Sequence, residues 1–179
     1  HTVTLAEPDP REFQILSTHR GNPSRLPGFR LPDDVLISND PQATVETSQK
    51  LIFAIPSQFL RSLLQRLSFR SHQPTAVVNL AKGLELGTLA RMSQVIAEET
   101  SLPNSMVVTV SGPSHAEEVI LDMPTTVVAA GTDPQVVSLV QQTFSGNTFR
   151  VYATDDIIGV ELGGSLKNII AIASGVADG

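Results

Sequence analysis

The 179-residue chain contains only three lysines, Lys50, Lys82 and Lys167, and two of them sit where lysine is least at home. Lys167 lies in GVELGGSLKNIIAIASGVADG (residues 159–179), which is apolar or small at nearly every position. Gly163, Lys167, Ala171 and Gly175 recur every four residues, so on a helix they share a stripe that another backbone or a ligand can approach closely. A lysine there loses hydration, which lowers its pKa toward the range useful for proton transfer. The plainer alternative is a buried ion pair with Glu161. Six residues apart, the two fall on different faces of a helix, so that pairing is geometrically poor. Lys82 stands between the apolar run AVVNL plus Ala81 and Gly83. If AVVNL is a parallel strand, Lys82 occupies its carboxyl end, where open α/β sheets bind ligands. The alternative for a loop lysine is an inert, solvated side chain. In an acidic chain, two lysines so placed suggest positive charge reserved for an anionic ligand.

Composition narrows the classes. Apolar residues make up 41% and charged residues 17%, as in a soluble domain with a real core. A net charge of −6 disfavours nucleic acid as a partner. With no Cys there are no disulfides, and the four histidines have no metal-ligand spacing, so no metal site is expected. HTVTLAEPDP shows no basic segment followed by an apolar one, so no signal peptide is expected, and a cytoplasmic location fits. The longest apolar run, residues 157–177, is broken by Glu161 and Lys167, which argues against membrane insertion. A homodimer is compatible with all of this.

The elements that must position the lysines alternate along the chain. Residues 1–6 read as a strand, followed at once by Glu7 and by a short helix after PDP. An acidic residue at that point is where dinucleotide-binding folds hold a ribose hydroxyl, although a solvated loop Glu is the common case. GNPSRLPGFRLP (21–32) is a loop. A short strand at 35–38 and a short helix at 41–47 precede LIFAI (51–55), a continuous apolar run suited to a central parallel strand. The helix of residues 58–67 is expected to turn Phe59, Leu60, Leu63, Leu64 and Leu67 inward. AVVNL (76–80) is a buried strand, with a helix from about 88 to 99. A strand at 106–110 ends in Ser111-Gly112-Pro113. Ser114-His115-Ala116-Glu117 has the form of a capping box opening a helix of about two turns. Its free N–H groups suit an anion, and His115 is a candidate acid or a plain surface residue. A strand at 124–130, a helix at 134–144 and a strand at 149–152 lead into one long helix at 154–179, expected to be buried on all sides. Ends at Ile55, Leu80 and Val110 would bring Pro56, Lys82 and Gly112 along one edge. The class is α/β with a mainly parallel sheet.

NLAKGLE (79–85), SGPSHAEEV (111–119), FRVY (149–152) and GVELGGSLKNIIAIASGVADG (159–179) together resemble the signature segments of the NAD(P)-dependent glycerol-3-phosphate dehydrogenase family. RGNPSRLPGFRLP (20–32) and IPSQFL (55–60) match more loosely. The resemblance spans essentially the whole chain. It implies a Rossmann-like NAD(P)-binding domain over residues 1–153, with helices flanking the sheet. Residues 154–179 would be the long helix that opens an α-helical substrate domain. By resemblance, Lys167 is the proton acceptor and donor at the substrate C2 oxygen, and Lys82 and Asn168 hold substrate. Gly112 and Ser114 lie at the substrate and cofactor site, Ala116 against the cofactor, and Pro56 and Phe59 on the nicotinamide side. Lys82 also borders the cofactor, as do Glu7 and Pro8.

The chain begins at what resembles the family's second strand, so the first strand and its G-x-G-x-x-G turn are not in it. It ends within the long helix. Glu7-Pro8 replaces the Arg or His often found after the second strand, and a carboxylate repels a 2′-phosphate, which favours NAD over NADP. The resemblance thus implies reversible conversion of dihydroxyacetone phosphate, a small phosphate substrate, into sn-glycerol 3-phosphate, feeding glycerophospholipid synthesis. The alternatives are a two-domain dehydrogenase for a hydroxy acid and a non-catalytic remnant that packs with a partner.

Overall fold

The computed structural model describes residues 2–69 and 73–179. Two sheets organise it, both built from parallel neighbours with one exception. The smaller sheet pairs β1 (Thr4–Ala6) with β2 (Leu36–Ser38). The larger runs β3 (Lys50–Phe53), β4 (Ala76–Asn79), β5 (Val107–Ser111), β6 (Thr125–Ala130), β7 (Phe149–Thr154) in that spatial order. β6 is antiparallel to β5, and β7 is parallel to β6. The mainly parallel α/β class expected from the alternation is therefore the class observed. His1, the start of the first expected strand, lies outside the described residues.

Three helices begin with the same two letters. Asp9-Pro10, Asp40-Pro41 and Asp133-Pro134 open α1 (Pro10–His19), α2 (Pro41–Thr47) and α6 (Pro134–Phe144). In each the Asp carboxylate accepts from free N–H groups of the first turn, and the Pro occupies the position where no N–H is needed. The bonds from the Glu12 and Arg11 amides hold the Asp9 carboxyl below its ordinary range.

Strand alternation divides the core between the faces of the larger sheet. Val77 and Val107 face α3 (Ser57–Leu64) and α4 (Met92–Thr100), packing with Leu60, Leu64, Met92 and Ile96. Val78, Val108 and Val110 face the other way, onto Val137 and Val140 of α6. Of the five residues expected to point inward from α3 and its C-terminal extension, Leu60 and Leu64 are fully buried, but Phe59 is 63% exposed. The helix ends at Leu64, which leaves Leu67 beyond it, and four-residue spacing selects Leu60 and Leu64 for the sheet face. α4 starts at Met92, later than expected, because residues 84–91 form a turn closed by a bridge between Leu84 and Arg91.

The reversal at β6 determines where the last helix goes. β7 ends at the edge of the sheet opposite the carboxyl end of β5. α7 (Ile157–Asp178), capped by the Asp156 carboxylate on the Gly159 N–H, starts from that far edge and packs on β5 and β6. It runs back across the sheet alongside β5. Glu161 meets Thr109, and Gly164 comes so close to Ser111 that an added Cβ would lie 2.7 Å from its Oγ. α7 is 22 residues long and apolar enough, by length and composition, to cross a membrane. It is not enclosed as expected. Among its described residues only Glu161 is buried, and Ile169, Ile170, Ile172 and Val176 are exposed. Composition reports what a helix is suited to be packed against, and within these residues only its first turns have neighbours.

Candidate functional site

The carboxyl ends of β3, β4 and β5 are adjacent, and each is followed by a residue singled out from sequence: Pro56, Lys82 and Gly112. Lys82 closes the gap between two of these ends. Its Nζ donates to the Gly112 carbonyl at 3.1 Å and lies 3.5 Å from Ser114 Oγ. Gly112 is needed there for contact reasons, since a Cβ would sit 2.8 Å from the Thr126 carbonyl oxygen and 2.9 Å from Val127 Cα. Among the described residues Lys82 has no carboxylate partner. Burial, and then the charge of Lys167, hold its pKa below the ordinary lysine value. The charge of Lys167 on α7 thus reaches Lys82. Lys167 is half-buried, one turn beyond Gly164 on α7, and Asn168 beside it is exposed.

Ser114 does not cap α5 (Ala116–Val119). His115 holds the cap position, without a side-chain bond to the helix, and α5 is a single turn. Ser114 instead has its hydroxyl 3.5 Å from the Gly112 carbonyl and stays with Lys82. The cap therefore falls one residue after the serine of the S-x-x-E pattern, and Ser114 after the Gly112-Pro113 turn stays against the lysine. Ala116 opens α5 in an exposed position, and Pro56 precedes α3 in the same way. Glu7 follows β1 in the smaller sheet, its Oε1 accepting from the Asp9 N–H at 2.9 Å. Pro8 beside it is exposed.

Several residues at this edge were not foreseen. Gln58 on α3 grips the loop after Lys82 through its side-chain amide, donating to the Leu84 carbonyl at 2.9 Å and accepting from the Leu86 N–H at 2.9 Å. Arg61, one turn on, holds Glu85 with two bonds of 2.7 and 2.9 Å and also reaches Glu98 and Glu99 on α4. The Glu85 carboxyl is held below its ordinary range, first by Arg61 and then by Thr88. Glu161, 6% exposed, is surrounded by donors: Arg91 Nη1 at 2.7 Å, Ser93 N–H at 2.8 Å, Ser93 Oγ at 2.7 Å and Thr109 Oγ1 at 3.2 Å. It pairs with α4 and not with Lys167. An acidic residue inside an otherwise apolar helix was the available signal, since such a residue must find partners. No cluster of three or more His, Asp or Glu that could hold a metal occurs among the described residues.

Comparison with known proteins adds the family. The family description "NAD-dependent glycerol-3-phosphate dehydrogenase N-terminus" matches residues 1–137, and the corresponding C-terminus description matches residues 156–179. The chain is 40% identical over 179 residues to a glycerol-3-phosphate dehydrogenase (NAD(P)+) of Fusobacterium nucleatum and 44% identical to one of Desulfitobacterium hafniense. Each match covers 100% of this chain, but 53% and 50% of the relative. The crystal structure of a glycerol-3-phosphate dehydrogenase from Coxiella burnetii superposes with a TM-score of 0.86 at 30% identity, over 99% of this chain and 54% of that one. The chain thus spans about half the length of the curated relatives it matches. With one match running from the first strand through the lysine-bearing edge and the other along the helix of Lys167, the chain belongs to the NAD-dependent glycerol-3-phosphate dehydrogenase family.

Proposed function

We propose that the protein carrying this chain interconverts dihydroxyacetone phosphate and sn-glycerol 3-phosphate with NAD(H) or NADP(H). What supports this is Lys82 at the carboxyl edge of three parallel strands, bonded to the Gly112 carbonyl, under the electrostatic influence of Lys167 and with no carboxylate partner among the described residues. Two cations at one edge suit a phosphate ester better than a hydroxy acid with a single negative charge.

Residues 1–153 then form the cofactor-binding domain, and residues 154–179 open the substrate domain. The exposed ring of Phe59 and the exposed Pro56 offer a flat apolar surface at the edge, which fits a nicotinamide. In this reading Ala116 and Lys82 border the cofactor, and Glu7 and Pro8 address its ribose. When bound, the nicotinamide supplies or takes the hydride. Lys82, with Asn168, Gly112 and Ser114, holds the phosphate substrate. Lys167 gives a proton to the C2 oxygen as negative charge develops there, and takes one in the reverse direction. The product suits the start of glycerophospholipid synthesis. A cytoplasmic location fits a helix α7 whose first turns are fixed inside the protein by Glu161.

Lys167→Ala in the full-length protein tests the assignment. Loss of general acid catalysis lowers kcat by about 10²–10⁴-fold. Cofactor affinity stays near normal, because the lysine addresses the substrate. A variant that keeps more than about a tenth of its kcat, against that expectation, assigns the proton to another residue.

A further inference from the structure

A line of buried polar groups runs under α7, on the sheet face that otherwise carries Val77, Val107 and Phe53. Asn79 and Thr109 are cross-strand partners on that face, 0% and 2% exposed. Apolar residues would suit both positions, and Asn is among the types least suited to a strand. Each is fully engaged. Asn79 holds both polar groups of Ala81, the residue before Lys82: its Oδ1 accepts from the N–H at 3.0 Å and its Nδ2 donates to the carbonyl at 3.3 Å. The same Nδ2 reaches Thr109 Oγ1 at 3.4 Å. Thr109 Oγ1 then donates to Glu161 Oε1 at 3.2 Å. Arg91 and Ser93 of the α4 start saturate the remaining lone pairs of Glu161 at 2.7–2.8 Å.

We infer that Asn79, Thr109 and Glu161 are positioning residues that fix the separation of Lys82 and Lys167. One end of the line holds the peptide from which Lys82 projects. The other holds α7 six residues before Lys167, a span of about 9 Å along a rigid helix. Thr109 Oγ1 is the one atom bonded to both Asn79, at 3.4 Å, the longest bond of the line, and Glu161, at 3.2 Å, so Thr109 is the joint where the two halves separate. None of the three contacts the space between the lysines through a side chain left free, since every polar atom in the line has a partner. Their effect is on where the lysine nitrogens stand, and reactivity depends steeply on such placement.

This inference rests on the proposed reaction, so its test has one arm that does not. In the full-length protein, Thr109→Val removes the hydroxyl with little change of shape. Amide hydrogen exchange is expected to rise together in residues 81–85 and 157–167. With dihydroxyacetone phosphate as substrate, kcat is expected to fall by about 10–100-fold. The KM for the cofactor stays within about twofold, and Thr109→Ser returns kcat to within about threefold of the parent. Ser93→Ala, at the half-buried end of the line, is the second variant should Thr109→Val not fold, with the same paired rise in exchange expected. A Thr109→Val protein with kcat within about twofold of the parent overturns the inference. So does a rise in exchange confined to one of the two segments. A parent protein inactive on dihydroxyacetone phosphate overturns the reaction instead, and the exchange arm still decides whether the line couples the two segments.

Discussion

Replacing Lys82 with Met removes the charge and keeps most of the apolar stem. In the resting protein Lys82 touches a carbonyl and a hydroxyl, neither of them an anion. Its charge is therefore available to a phosphate. A hydrogen bond to a charged group contributes about 1.5–3 kcal/mol, or about 10–150-fold. kcat/KM for dihydroxyacetone phosphate is expected to fall by that factor in Lys82→Met, mostly through KM, while the KM for NADH changes little. The pH dependence supplies a second reading. Burial and Lys167 hold the Lys82 pKa below its ordinary 10.5, so the cation is lost at a lower pH than in a free lysine. kcat/KM, which reports the free enzyme, should fall as pH rises through that lowered value. Lys82→Arg keeps its charge across the window, so its fall should be shallower than the parent's and owed to the proton donor Lys167 alone. Unfolding does not mimic the effect. Between the lowered pKa and 10.5 the unfolded chain binds more protons than the folded one, so the Lys82 contribution to stability rises with pH. Steady-state kinetics between neutral and alkaline pH decide the matter. A Lys82→Met enzyme with unchanged KM, or a Lys82→Arg enzyme whose alkaline fall is as steep and begins at the same pH as the parent's, refutes the reasoning.

Arg61→Met frees Glu85 and Glu99 from their shared cation and should lower the urea midpoint of unfolding, tempered by the exposure of Glu98. The Glu85 pKa is lowered by folding, so its contribution is present above the ordinary value of 4.5 and is lost as pH falls through the lowered one. Glu85→Gln should therefore match the parent in acid and be less stable near neutrality. Gly112→Ala drives a methyl into the Thr126 carbonyl and Val127 Cα, which are backbone and cannot turn aside, and should cost about 1–3 kcal/mol by thermal melting. Glu7 beside Pro8 should make the full-length protein favour NADH, and a clear kcat/KM advantage for NADPH would reverse that expectation.

The sequence reveals most of what stands at the strand ends and little of what lies beneath them. Continuous apolar runs such as LIFAI and AVVNL identify parallel strands, and strand ends identify Pro56, Lys82 and Gly112 without knowledge of strand order. The Asp-Pro pairs fix three helix starts to the residue, because cap and proline act locally. Contacts across the sheet are different. Glu161 meets Arg91 and Ser93 from some 70 residues away, and nothing local to either partner announces it. A capping box is a local pattern, whereas the partner of Ser114 is Lys82, which comes from another strand end. The antiparallel β6 was likewise invisible, since a six-residue apolar strand reads the same in either direction. Yet that reversal is what sends α7 back over β5.

The attachment of α7 gives it the mechanics of a lever. Its fulcrum is Glu161, fixed by four donors, and its far end at Asp178 lies about 25 Å along the axis. Lys167 sits only about 9 Å from the same fulcrum. A tilt of about 5° that carries the tip through about 2 Å therefore moves the Lys167 backbone by less than about 1 Å, from the same helical rise. Whatever load falls on the exposed apolar half reaches the lysine reduced about threefold, by the ratio of those arm lengths. Displacements that would be large at the tip arrive at the strand edge on the scale of fine adjustment.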